Sequence, residues 1–287
     1  MFGVKIEGRL GNQMFQYAFA LAQQEKFKED FYLDSYQHLY LKDLFILPRY
    51  FLLGGEYRRQ SALRKFRFML SHGFRPEKVV QDQWFGAEHF LNNYSKPGIL
   101  YGGFFQSEQY FMPVRDKVRK AFCVKPELRV DIRDVTGNDR ETVVVHVRRT
   151  DYLNWGNDDL QYNLSLPEGY YRRCLEQLDL RDKNLLFLSD DIAYVKEHFG
   201  RPGAFFSERG SEIHDLQLLM QADYLVLANS SFSWWGAWLN ERAKQVFAPK
   251  HWLGFKVNKE WPAGVISPAW RKIDVLNLKD VPEPGNR

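Results

Sequence analysis

Short apolar runs recur along the chain, and most are followed by a polar turn and then by apolar residues at helical spacing. Phe2 to Glu7 predicts a strand, Gly8 to Gly11 a tight turn, and Asn12 to Phe27 a helix with Met14, Ala18, Leu21 and Ala22 on one face. Phe31 to Asp34 resumes a strand, so the chain opens as a strand, glycine turn, helix, strand unit of a parallel α/β domain. The middle is less regular: helical over Arg58 to Leu70, extended over Ile99 to Phe105, helical again over Glu108 to Ala121. From Glu141 the alternation clears. Strands at Thr142 to Val147, Leu185 to Leu188, Tyr224 to Leu227 and Gln245 to Ala248 are separated by helices at Tyr170 to Leu178, Ile192 to Phe199, Glu212 to Ala222 and Phe232 to Glu241. That rhythm predicts a second α/β unit with a right-handed parallel sheet, and the polar stretch Val135 to Arg140 reads as the linker between the two.

The chain has 287 residues, 45% hydrophobic and 26% charged, which supports a folded core and excludes a disordered chain. At roughly 100–200 residues per domain the length fits two, 1-137 and 138-287. Forty Lys and Arg against 36 Asp and Glu leave +4, too mild for a broad nucleic-acid surface and compatible with one local anion site. Cys123 and Cys174 are the only cysteines, so a disulfide framework and a cysteine-rich zinc cluster are excluded; both read as buried thiols in a reducing compartment. Met1 to Gly8 enters a strand without the pattern of a signal peptide, and no apolar stretch approaches the ~18–20 residues of a membrane span, so a cytoplasmic location is expected.

In parallel α/β sheets ligands bind where strands end and helices begin. Three such places carry chemistry. At Val143 to Tyr152 a buried strand ends in His146, Arg148, Arg149 and Asp151, which costs stability unless the charges are matched. An Arg–Asp ion pair closing the strand is one reading. Two arginines against a single aspartate leave one positive charge for an anion, and the planar guanidinium fork suits a diphosphate. At Asn229-Ser230-Ser231-Phe232 the residues sit at a strand-to-helix junction, where free backbone N–H groups and the helix dipole favour phosphate or simply make a cap. Trp234, Trp235 and Trp238 beyond it read as core. At Gly8 to Gln16, glycines allow close backbone approach, while Asn12 and Gln13 offer amides suited to hydroxyls.

Two further segments stand out. Ser189-Asp190-Asp191 follows a strand and either accepts hydrogen bonds from a purine edge or caps a helix. Arg58, Arg59, Arg64, Lys65, Arg67 and Arg75 lie beside Leu63, Phe66 and Met69, either as a solvated helix face or as a basic amphipathic helix against anionic membrane. There is no Asp-x-Asp, no His-Glu-x-x-His and no histidine cluster, so arginines rather than a metal are expected to hold a diphosphate.

Gly8 to Ala18, His146 to Asp151 and Asn229 to Leu239 resemble, in order and separation, the three signatures of the bacterial α-1,2-fucosyltransferases, glycosyltransferase family 11. The resemblance runs from near residue 3 to about residue 255. It implies a GT-B architecture, two Rossmann-like domains with parallel sheets facing a central cleft, the first binding the acceptor and the second GDP-fucose. It implies metal-independent, inverting transfer of L-fucose from GDP-β-L-fucose to the 2-hydroxyl of a terminal galactose, as in O-antigen synthesis. By the same resemblance Arg148 meets the β-phosphate, Arg149 supports it, and Ser230, Ser231 and Phe232 cradle the phosphates. His146 and Asp190 or Asp191 approach the nucleoside, while Gly11, Asn12, Gln13 and Gln106 face the sugars. Asp151 reads equally as the base and as an orienter of arginine, with Asp215 and Glu168 as weaker candidates for the base. A transferase for another nucleotide sugar, or a non-catalytic polyanion binder, remains as an alternative; the second conflicts with the mild net charge.

Overall fold

The computed structural model describes residues 1–35, 38–47, 54–72, 77–208 and 211–275. The chain forms two compact units, Met1–Leu128 with Pro262–Val265, and Arg129–Trp261 with the remainder.

In the first unit, β1 (Phe2–Ile6), α1 (Leu10–Phe27), β2 (Phe31–Ser35), α2 (Tyr40–Leu44), α3 (Gly54–His72), β3 (Lys78–Val80), α4 (Ala87–Asn93), β4 (Leu100–Gly102) and α5 (Arg115–Ala121) follow in order. The strands make one parallel sheet ordered β2-β1-β4-β3. Gly8, at φ +77°, makes the turn after β1; a Cβ there would come within 2.5 Å of the Asn12 amide, so the turn is reserved for glycine. α1 is buried along most of its length, and Phe19 stacks on Phe105 at 3.8 Å between centroids. The helix expected over Glu108 to Ala121 is instead two single 3₁₀ turns, Glu108–Tyr110 and Met112–Val114, followed by α5. Pro113 lacks the N–H that a continuous helix would need there.

The second unit contains α6 (Arg133–Thr136), β5 (Thr142–Val147), β6 (Gly156–Asn157), β7 (Gln161–Tyr162), α7 (Glu168–Glu176), β8 (Asn184–Ser189), α8 (Ile192–Phe199), β9 (Ala204–Phe206), α9 (Glu212–Gln221), β10 (Tyr224–Val226), α10 (Ser231–Leu239), β11 (Gln245–Pro249) and β12 (Arg271–Ile273). Six strands form a parallel sheet ordered β12-β11-β10-β5-β8-β9, while β6 and β7 form a small antiparallel hairpin. The order runs outward in both directions from the β5/β10 pair, as in dinucleotide-binding sheets. β5 is buried throughout, and Trp234 and Trp235 on α10 are fully buried, as their apolar surroundings in the sequence suggested.

Three details depart from the sequence reading. Cys123 is exposed, and only Cys174 is a buried thiol. The stretch 135–140 is no free linker: Asn138 Oδ1 accepts from Arg140 N (3.0 Å) and Asn184 Nδ2 (2.9 Å), tying it to the second sheet. The units accordingly divide at Leu128/Arg129 rather than at 137/138, with Val130 N and Ile132 N donating to Gln217 and Gln221 of α9.

Candidate active site

In an open parallel sheet the crevice lies at the carboxyl ends of the two strands where the order reverses. In the second unit those strands are β5 and β10, and the residues just past their ends are Arg148-Arg149 and Asn229-Ser230-Ser231. Two motifs separated by some eighty positions in sequence thereby meet, since β10 pairs with β5 in parallel register, Val226 opposite Val145.

On the other side of β5, the register His146↔Leu188 and Val147↔Ser189 brings Asp190 and Asp191 beside the arginines. Arg148, its side chain 15% exposed, pairs with Asp151 at 2.7 Å through Nη2 and with Asp190 at 3.2 Å through Nη1. Burial opposes its charge, but the two carboxylates more than offset that and raise its pKa. Asp190 also accepts from Arg149 N (2.9 Å), Thr150 N (3.2 Å) and the Thr150 hydroxyl. Arg149 lies 3.3 Å from Asp191 and stacks its guanidinium on Tyr194, 3.6 Å from the ring centroid. Asp191 in turn caps α8, accepting from Tyr194 N at 3.2 Å.

The surplus cation inferred from two arginines and one aspartate is therefore absent. Two guanidiniums face three carboxylates once β8 contributes its pair. The carboxylates differ in how firmly they are held. Asp190 has four donors and a side chain 19% exposed, whereas Asp151 has Arg148 and a side chain 55% exposed.

His146 is buried against Phe232, 5.5 Å between ring centroids, and burial lowers its pKa to about 4; Asp190 opposes that shift and Arg148 adds to it. The imidazole is neutral at pH 7, and its Nδ1 is buried without a hydrogen-bond partner. Ser230 is the N-cap of α10, accepting from Phe232 N at 3.3 Å, while Ser231 and Phe232 in the first turn are half-buried. Asn229 is fully buried and donates to Leu164 O at 2.9 Å. Tyr152 received no role from sequence, yet its hydroxyl donates to Asn229 O (3.3 Å) and its ring lies 5.5 Å from the Arg148 guanidinium carbon. It links the arginine strand tip to the serine junction, and its place next to Asp151 was the only signal.

In the first unit the order reverses between β1 and β4, and Asn12 and Gln106 meet there, Gln106 Nε2 donating to Asn12 Oδ1 at 2.7 Å. Gln13 is not available for hydroxyls: it is fully buried, donating to Gly8 O and His38 O and accepting from Tyr40 N. Gly11 is buried within α1. Glu168 lines a small pocket with Arg148 and Arg149 but is paired with Arg172 and His198, and Asp215 is held by the Ser207 hydroxyl at 2.5 Å, its pKa raised by burial. Among the described residues no cluster of His, Cys, Asp or Glu could hold a metal ion, and no helix is long and apolar enough to cross a membrane.

The sequence matches the family model for glycosyl transferase family 11 over residues 1–273. The chain belongs to glycosyl transferase family 11. It is a glycosyltransferase with a GT-B type fold. An α-1,2-colitosyltransferase of Escherichia coli is 30% identical over 266 residues, 87% of this chain and 91% of that protein. The O-antigen biosynthesis glycosyltransferase WbnK of Escherichia coli is 26% identical, covering 86% and 93%. Mouse galactoside 2-α-L-fucosyltransferase Sec1 is 24% identical, covering 83% and 64%. Among solved structures, an Arabidopsis thaliana FUT1 mutant in complex with GDP has the same fold, with a TM-score of 0.50 at 13% identity over 83% of this chain and 68% of that one.

Proposed function

We propose that the transferase moves L-fucose from GDP-β-L-fucose to the 2-hydroxyl of a terminal galactose with inversion, without a metal, and that the donor diphosphate binds at the β5/β10 crevice. The observation that carries this reading is the convergence of Arg148 and the Ser230–Phe232 helix start on the point where the strand order reverses. Asp151 yields Arg148 to the β-phosphate, while Asp190 keeps the guanidinium aimed. The galactose O2 attacks fucose C1, the C1–O bond to phosphate breaks, and GDP leaves carrying the electron pair. The acceptor proton passes to the released Asp151 carboxylate. Arg148 and the free N–H groups of α10 stabilise charge that is greatest in the transition state.

Incubation with GDP-fucose, chelator and β-galactosides, with the product linkage read by NMR, is expected to give an α-1,2 product. Arg148→Ala is expected to lower kcat by about 100-fold or more; near-normal turnover removes Arg148 from this role. A second donor is favoured by the colitosyltransferase relative. Colitose lacks the 3-hydroxyl of fucose, so kcat/KM for the two GDP sugars decides between the readings. A pocket that hydrogen-bonds that hydroxyl should prefer GDP-fucose strongly.

The acceptor is proposed to be a glycan precursor at the inner membrane face, reached through α3. That helix buries Phe68 and engages Phe31 O and Asp34 through Arg64 and Lys65, leaving Leu63, Phe66, Arg67 and Leu70 exposed. Two of the basic residues therefore serve the fold; Arg75 and the side chains of Arg58 and Arg59 lie outside the described residues. Leu63, Phe66 and Leu70 replaced together by Ser should abolish cosedimentation with anionic vesicles, and undiminished binding excludes this face.

A further inference from the structure

Of the eight tryptophans, Trp155 alone is exposed, at 42%; the others are buried or half-buried. It stands in the segment between the Arg148 strand tip and α7, and that segment is built rather than loose. Leu164 N donates to Tyr152 O (2.8 Å), closing the segment on itself, and Leu160 and Leu164 are buried beneath it. Asn229 Nδ2 holds Leu164 O at 2.9 Å, and Lys256 Nζ holds Tyr162 O at 2.6 Å. The β6–β7 turn requires Gly156, where a Cβ would come within 2.0 Å of Gln161 O.

The Trp155 ring lies 5.5 Å from Tyr152 and 6.4 Å from Trp261, centroid to centroid, and Tyr152 lies under the Arg148 guanidinium. An unbroken row of arenes thus leads from the candidate catalytic arginine to an indole open to solvent. A pyranose presents a face of weakly positive C–H groups, and galactose has a broad one; an indole presents the matching negative π-face. An indole fixed in place also needs little ordering to bind.

Building on the proposed transfer to galactose, we propose that Trp155 is the stacking platform for the acceptor sugar, positioned by Tyr152 and Trp261. It sets acceptor affinity and takes no part in holding the nucleotide. The test is acceptor kinetics with a β-galactoside, together with GDP affinity by calorimetry. Trp155→Ala should raise the acceptor KM about tenfold with GDP affinity and thermal midpoint unchanged, and Trp155→Phe should recover most of the loss. An unchanged acceptor KM overturns the platform, as does an equal loss of GDP affinity, which would make Trp155 a support of the segment. If the wild-type protein transfers fucose to no galactoside, the functional reading fails on its own account. The platform is then judged by titrating lactose into the GDP-loaded protein: a saturable tryptophan fluorescence change absent from Trp155→Phe sustains it, and no change overturns it.

Discussion

His146 stands two residues before Arg148 and Asp151 two residues after Arg149, yet their surroundings give them opposite characters. Asp151 is exposed and has one strong partner, so it is free to exchange that partner for a ligand. As the proposed base, Asp151→Asn should lower kcat by about 10²- to 10⁴-fold with GDP affinity retained; near-normal turnover removes Asp151 from this role. His146, whose pKa falls from 6.5 to about 4, acts on stability. Above pH 6.5 the ring is neutral in both folded and unfolded chains and contributes no pH dependence. As pH falls from 6.5 to 4 the unfolded chain binds a proton that the native ring refuses, so stability drops, by roughly 3 kcal/mol over the window. Urea midpoints across that range should fall less steeply in His146→Gln; equal slopes would mean that the ring titrates normally in the fold. The sequence made both residues conspicuous, but their difference depends on Phe232 and Asp190, which lie far away along the chain.

At the scale of elements, the pairing of α9 with α10 supports the serine junction. Gly236 faces Leu219, and a Cβ at 236 would lie 2.4 Å from the Leu219 Cβ. Gly236→Ala gains up to about 1 kcal/mol in helix propensity, but overpacking costs about 1–3 kcal/mol, so a net destabilisation is expected. In thermal melts Gly236→Ala should lower the midpoint; an unchanged or raised midpoint would mean that α9 gives way to the added methyl group. The strands and helices of the second unit were readable because apolar runs and helical stripes alternate there. β5 and α8 fall at the expected residues, whereas the short β3, β9 and β12 passed unnoticed. β10 is as short but sits in the five-residue apolar run Tyr224 to Ala228, longer than the runs around β3, β9 and β12. What pattern could not give was register: the pairing of Val147 with Ser189 brings two further carboxylates to the arginines and cancels the charge surplus that counting along one segment suggested. The partners of Gln13 are likewise invisible to pattern, since Gly8, His38 and Tyr40 come to its amide only through the fold.

At the scale of the molecule, each unit has one reversal point in its sheet, and each carries polar side chains that the sequence had singled out: Asn12 with Gln106 in one, Arg148 with the 229–231 junction in the other. Chain connectivity is less modular than that symmetry. Residues 262–265 return from the second half of the sequence to the first unit, where Ala263 N donates to Gln83 O at 2.9 Å. Anyone recombining halves of related transferases to trade acceptor for donor preference therefore needs three crossovers rather than one. A hybrid joined only near residue 128 inherits a foreign four-residue clasp, and it should express less soluble protein than one in which those four residues travel with the amino-terminal half.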